Sequence, residues 1–292
     1  MLLAGCCAPA AALRTQRAGG GTAHTSAAAG HLGLVSERAS GSKGRPSLFC
    51  FMVVRPRTYE VDLMKLHLSG PMLSACNGYK VYTNESFAAL NLSADARKHL
   101  VEGSIFGGMD SPMEGWPSDK PILYSAANTA IFLQAWHSIF QSGIHERFDW
   151  IVKVDPDTVF FPDRLRLLVQ DHSPDEPFGL FDSGGLCSGG IGGIGVISRA
   201  GVKVMAALQG ILPLLNVTRE DGMLKGALEA FGKGSKPEPN LMLNPVPRLD
   251  CSKAPWKVAY HPFKAAWLAG WCMNETRRLE APIPSNLHSK CL

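Results

Sequence analysis

An apolar strand that ends in two carboxylates constrains this chain more than any other feature. Trp150-Ile151-Val152-Lys153-Val154 is a β-branched, mostly apolar run, and Asp155-Pro156-Asp157 follows it at once. Such a run fits a strand covered on both faces, as in parallel sheets. In open α/β sheets ligands bind beyond the carboxyl ends of the strands, so two acids are delivered to a binding end. Their hard oxygens suit a divalent cation and, through it, a phosphorylated substrate. Pro156 biases Asp155 toward extended geometry. Fully extended, the acids would share a face roughly 6.6 Å apart along the chain. That spacing predicts divided work, one acid on the metal and the other on a sugar or ribose hydroxyl.

The remaining elements alternate. Residues 48–54 form an apolar run stopped by Arg55-Pro56-Arg57, a first buried strand. Thr58 can cap a helix carrying Val61, Met64, Leu66 and Leu68, and residues 79–83 alternate like a second strand. Pro121 opens a helical segment marked by Ile122, Ala126, Ala130, Leu133, Trp136 and Phe140. After the acids, Pro162 starts a helix with Leu165, Leu168 and Val169 inward. Residues 178–181 and 191–197 read as strands around glycine-rich turns, 200–212 and 221–231 as helices, and 237–247 as a Pro-rich loop. A short strand over 257–264 ends in His261 and Lys264. Strands separated by helices require crossovers, which predicts an α/β domain with a Rossmann-like, mostly parallel central sheet flanked by helices. One domain at 47–272 is expected, followed by a tail at 273–292.

With 46% hydrophobic and 18% charged residues among 292, the chain can bury a large core. Its net charge of +4 is localised, because residues 1–46 hold five basic residues against Glu37 and the remaining 24 basic and 24 acidic residues cancel. No basic run marks a nucleic-acid partner. Residues 1–46 lack a helical or strand period and read as disordered or targeting sequence: a signal peptide, an organellar transit peptide, or a misassigned start. No later window offers the roughly 18 apolar residues of a membrane helix.

Four of nine Asn residues, Asn84, Asn91, Asn216 and Asn274, begin an Asn-x-Ser/Thr acceptor, which favours a glycosylated protein of the secretory lumen. Setting aside Cys6 and Cys7, six Cys remain without a Cys-x-x-Cys pair. They fit two or three disulfides, or in part buried thiols, better than zinc.

The segment Lys153-Val154-Asp155-Pro156-Asp157-Thr158-Val159-Phe160-Phe161-Pro162, with Leu165, resembles the Asp-x-Asp segment of A-type-fold glycosyltransferases, particularly the fringe and β1,3-galactosyltransferase group. Gly192-Gly193-Ile194-Gly195-Val196-Ile197-Ser198-Arg199 is similar to the glycine-rich strand that follows in that group, and Glu220-Asp221 to the acid pair that opens a later helix. His261 matches a late metal-binding histidine, and the parts keep their order over roughly residues 48–264. The resemblance implies a single A-type domain that moves a hexose from a nucleotide-diphosphate donor, UDP-linked, to a hydroxyl of a glycan or glycoprotein, in the Golgi lumen. It also implies Mn²⁺ or Mg²⁺ held by Asp157, Asp155 and His261, countering charge on the departing diphosphate. Imidazole beside carboxylate favours Mn²⁺.

On this reading Asp155, Arg55 and Lys264 contact the donor. Asp221, with Glu220, supplies the general base. Each has a plainer alternative: Arg55 as a solvated strand end, Asp221 as a helix cap, His261 as a core histidine. The other His residues show no useful spacing. Two rival functions remain open. In a haloacid-dehalogenase-like phosphatase Asp155 would be the nucleophile and Asp157 the acid/base. A catalytically inactive glycosyltransferase-like binding protein would keep the fold alone.

Overall fold

Strand β1 (Leu48–Val53) lies inside the sheet, between two other strands, and is apolar on both faces. Leu48, Cys50 and Met52 enter one core, and Phe49, Phe51 and Val53 enter the other. The computed structural model of the chain describes residues 44–101, 129–181, 192–212, 220–232, 234–243 and 250–279. From β1 the chain passes through helix α1 (Glu60–Ser69) to β2 (Gly78–Tyr82), then through two short helices, α2 (Phe87–Leu90) and α3 (Ala94–Arg97), to β3 (Leu100–Val101). Helix α4 (Thr129–Gln141) precedes β4 (Trp150–Val154). A two-residue strand β5 (Val159–Phe160), helix α5 (Pro162–Val169), β6 (Gly179–Phe181) and β7 (Ile194–Ser198) follow. Then come α6 (Arg199–Ala207), α7 (Glu220–Phe231), β8 (Ser235–Pro237), β9 (Met242–Leu243), β10 (Ala259–Tyr260) and α8 (Ala266–Leu279).

The central sheet runs β3-β2-β1-β4-β7-β6-β8. Only β7 is antiparallel to its neighbours, so the sheet is mostly parallel, as expected of an α/β domain. The chain works outward from β1 through β2 to β3, then returns to lay β4 on the other side of β1. The crevice where strand order reverses therefore lies beyond the carboxyl ends of β1 and β4. Asp155 follows β4 directly, and Arg55 stands two residues past the end of β1.

Helices cover both faces. Ile131, Phe132, Ala135, Trp136 and Ile139 of α4 lie at helical spacing in the core that holds Phe51, with Trp136 edge-on to the Phe51 ring at 4.8 Å. On the other face Leu165 and Val169 of α5 are buried and Leu168 is only partly so. In α1 the buried positions are Glu60, Leu63, Met64 and His67, so two of its inward residues are polar and escape an apolar-period reading. Thr58 serves this helix one residue earlier than a cap, its Oγ1 accepting from the Glu60 N–H at 3.2 Å. The helix expected from Pro121 is described only from Thr129, and the glycines at 184–190 lie outside the described residues.

A second sheet, β5-β10-β9, brings residues near 260 to the turn after β4. The stretch expected as loop at 237–247 thus contains a strand, and the strand expected over 257–264 shortens to Ala259–Tyr260. Two disulfides pair four of the six candidate cysteines, Cys50 with Cys76 and Cys251 with Cys272. Cys187 and Cys291 lie outside the described residues. Helix α8 runs through residue 273 to Leu279, with Met273 and Thr276 buried, so the packed structure continues past the expected start of a tail. Among the described residues no helix is long and apolar enough to cross a membrane.

The Cys251–Cys272 bridge closes a loop of sequence separation 21 that carries His261 and Lys264. Cys251→Ala/Cys272→Ala is expected to remove about 3 kcal/mol of stability and lower the melting temperature by roughly 6–12 °C. Calorimetry of the two proteins checks this.

Candidate active site

The acid pair is folded back by a turn. The Thr158 N–H donates to the Asp155 carbonyl at 3.1 Å, closing a four-residue turn with Asp first and Pro second, positions both residues favour. The extended spacing expected from sequence is therefore replaced by a bend. Ligand atoms of Asp155, Asp157 and His261 all lie within 4.8 Å of one another. The acids converge on one point where divided work was expected.

His261 reaches this point through the small sheet. Antiparallel pairing of Tyr260 with Val159 and Ala259 with Phe160 carries the chain beyond β10 alongside the turn, and the Phe263 N–H donates to the Asp157 carbonyl at 2.8 Å. His261 Nε2 lies 3.3 Å from Asp157 Oδ1, and the Lys264 ammonium contacts Asp157 Oδ2. Lys264 also donates to the Tyr59 hydroxyl at 2.8 Å. Burial alone would raise the Asp157 carboxyl, but His261 and the Lys264 ammonium outweigh it and hold the group well below the usual carboxylate range. Burial would likewise lower Lys264; the Asp157 charge and the Tyr59 bond reverse that and raise it.

The two carboxylates and one imidazole form a donor set suited to a divalent cation, with N and O ligands together favouring Mn²⁺ over Mg²⁺. Backbone space is arranged around it. Gly193, immediately before β7, receives the Thr158 hydroxyl on its carbonyl at 3.0 Å. A Cβ there would strike Thr158 Oγ1 and come within 2.6 Å of His261 Cδ2. Gly193→Ala is expected to displace His261 and weaken Mn²⁺ binding about 10–100-fold, measured by titration with Mn²⁺; unchanged affinity contradicts this placement.

Lys153 was not singled out from sequence, yet it is central. Its side chain is 2% exposed, with Nζ 2.7 Å from Asp155 Oδ1 and 3.5 Å from Glu220 Oε2. Glu220, the first residue of α7, is fully buried and accepts from Trp136 Nε1 at 3.3 Å. That arrangement turns Glu220 inward toward Lys153 and α4, away from any acceptor in solvent. Asp221 follows in the first turn of α7; its side chain is outside the described residues. The legible signal for Lys153 was a lone cation inside a strand whose other four positions are apolar and buried.

Arg55 stands just past β1 and is held by Glu60, which accepts from its Nε at 2.8 Å and from its backbone N–H at 2.8 Å. Burial raises Glu60, Arg55 opposes that rise, and the nearby Asp157 charge adds to it. A cavity of about 220 Å³ opens beside Arg57, Thr58 and Glu85, past the ends of β1 and β2. A larger one of about 780 Å³, lined by Leu133, His137 and Gln209 among others, has no carboxylate in its described lining and is not where the acids converge.

His67, passed over in the sequence, is buried on α1 and donates from Nε2 to the Pro156 carbonyl at 3.2 Å, bracing the acid turn. Burial pushes it down to about 4, against the bonds to the Pro156 and Thr158 carbonyls. Its folded pKa lies below the ordinary 6.5, so between these values the unfolded chain binds the extra proton. Its stabilisation is complete above pH 6.5 and is lost as pH falls toward 4. The expected slope is about 1.4 kcal/mol per pH unit. Urea unfolding across this window should show stability rising with pH more steeply in wild type than in His67→Leu, the difference being the His67 contribution.

No protein-family model matches the chain. Solved structures similar to it include a glycosyltransferase involved in the glycosylation of the major capsid of PBCV-1, at 12% identity and TM-score 0.43, covering 77% of this chain and 100% of that one. The galactosyltransferase LgtC in complex with donor and acceptor sugar analogs is similar at 13% identity and TM-score 0.37, over 81% of this chain and 98% of that one. The apo-form glycosyltransferase GlyE of Streptococcus pneumoniae TIGR4 aligns at 12% identity and TM-score 0.42, over 83% and 66%. At such low identities and TM-scores the activity has to be read from the chemistry of the site itself.

Proposed function

We propose that this chain is a metal-dependent glycosyltransferase of the A-type fold, akin to the fringe and β1,3-galactosyltransferase group, moving a hexose from a UDP-linked donor to a hydroxyl of a glycan or glycoprotein. The observation that carries this reading is the convergence of Asp155, Asp157 and His261 at the crevice between β1 and β4. When bound there, a divalent cation supplies Lewis-acid stabilisation of the diphosphate as the glycosidic bond breaks. Asp157 stays ionised because of its partners, Lys264 offers a second positive charge beside the same point, and Arg55 and the cavity past β1 lie where a nucleotide would be received. Asp221, at the start of α7, is our candidate base; Glu220 is assigned to positioning. Two disulfides and the exposed acceptor residues Asn84, Asn91 and Asn274 support a home in the secretory lumen, for which we propose the Golgi.

The phosphatase reading has less support. It needs Asp157 as an acid/base with a pKa near working pH, whereas His261 and Lys264 hold it far below. A thermal-shift series with UDP- and GDP-sugars, with and without Mn²⁺, tests the proposal. The expected result is a donor-specific shift that requires the metal and disappears in Asp157→Ala. No shift with any donor, or an equal shift without metal, rejects the transferase and leaves the inactive binding protein. Turnover of p-nitrophenyl phosphate that is lost in Asp155→Asn would instead establish the phosphatase.

A further inference from the structure

We infer that Lys153 is a positioning residue that sets the cation site from beneath, holding Asp155 and the glycine turn behind His261 in one arrangement. This rests on the metal-dependent reading above. Residues alternate in β4, so Lys153 and Asp155 project to the same face of the sheet as Ile151, where α4 and α7 pack. The Lys153 ammonium lies 2.7 Å from Asp155 Oδ1, donates to the Gly192 carbonyl at 3.2 Å, and forms a longer ion pair with Glu220 Oε2 at 3.5 Å. The Phe132 ring lies 4.9 Å away, adding a cation–π contact.

The ammonium therefore reaches both sides of the cation site. On one side it holds one oxygen of Asp155, a carboxylate still 27% exposed that would otherwise rotate freely toward water. On the other it anchors Gly192, a residue at φ +48°, and so fixes the entry to Gly193, against which His261 packs. Glu220 pairs with the same ammonium and is itself tied to Trp136 of α4. A buried lysine that only neutralised Glu220 would not need the contacts to Asp155 and Gly192. Together these place a fixed positive charge beside Asp155, one of the two carboxylates that a cation would share.

The test separates positioning from neutralisation by comparing Glu220→Gln with the double variant Lys153→Met/Glu220→Gln, neither of which leaves Glu220 as an uncompensated charge. Free Mn²⁺ is measured by electron paramagnetic resonance during titration of each protein with Mn²⁺ alone, alongside its thermal unfolding. Positioning predicts that the double variant melts cooperatively yet binds Mn²⁺ about 10–100-fold more weakly than Glu220→Gln. Equal affinities in the two overturn the role of Lys153 while leaving the functional reading intact. Wild-type protein that binds no Mn²⁺ overturns both. Should the double variant not fold, Lys153→Gln/Glu220→Gln replaces it, with about a 10-fold loss expected and equal affinity again counting against the inference.

Discussion

Asp157→Asn should reduce metal-dependent sugar transfer by at least about 10³-fold in kcat/KM, close to 4 kcal/mol of transition-state stabilisation. The substitution is nearly isosteric and keeps atoms able to bond His261 and Lys264, so the turn after β4 should persist while the charge is lost. Asp157 contributes the most enclosed carboxylate of the cation site, at 9% side-chain exposure, and its low pKa keeps it ionised at any working pH. Removing it deprives the cation of its strongest partner just where the departing diphosphate needs compensation. The apo protein should also melt at a lower temperature at neutral pH. A carboxyl whose folded pKa lies below its ordinary 3.8 contributes stability above that value and loses it as the pH falls further, so the two melting curves should converge in strong acid. Steady-state kinetics with saturating Mn²⁺ and calorimetry against pH provide the measurements. Transfer within about tenfold of wild type would place the metal elsewhere.

Lys153→Met should be the most destabilising single change in the site, by about 3–5 kcal/mol. Its side chain lies between two acids, and its removal leaves Asp155 and the fully buried Glu220 without the cation that offsets their desolvation. Replacing a buried pair with apolar groups can be neutral, whereas removing one partner alone exposes the whole penalty of the other. For a domain of this size that loss corresponds to a melting temperature lower by roughly 6–20 °C. Adding Glu220→Gln should recover most of the stability, because the most buried uncompensated charge is then gone. A single variant that melts with wild type would mean that water or another cation reaches the acids.

Much of the scaffold was legible along the chain because it is encoded by near neighbours. Two-sided apolar runs announced β1 and β4, and helical spacing announced α4. The buried face of α4 is nevertheless Ile131, Phe132, Ala135, Trp136 and Ile139, of which only Trp136 marks the period read from sequence, while Ala130 is exposed. The acid pair at a strand end indicated where a ligand should bind. Errors arose where a local preference met a longer-range constraint. Pro156 biases Asp155 toward extension, but Asp155 and Pro156 also suit the first two positions of a turn, and the chain takes that turn before β5 pairs with β10. Lys153 was given no role from sequence and is a buried cation, since packing of α4 and α7 supplies Phe132 and Glu220 around it.

Residue order alone prescribes an α/β chain with acids delivered past an interior strand, together with the residue types from which a cation site can be built. Tertiary structure alone decided which of those residues meet. His261 and Lys264 reach Asp157 because a two-residue antiparallel pairing and the Cys251–Cys272 bridge bring a distant segment across the turn. Lys153 joins Asp155 to Glu220 because a strand and a helix far apart in sequence close on the same side of the sheet. Local patterns report the conformation each segment prefers, whereas the distances within a site depend on chain closure and packing, which no short stretch of sequence carries.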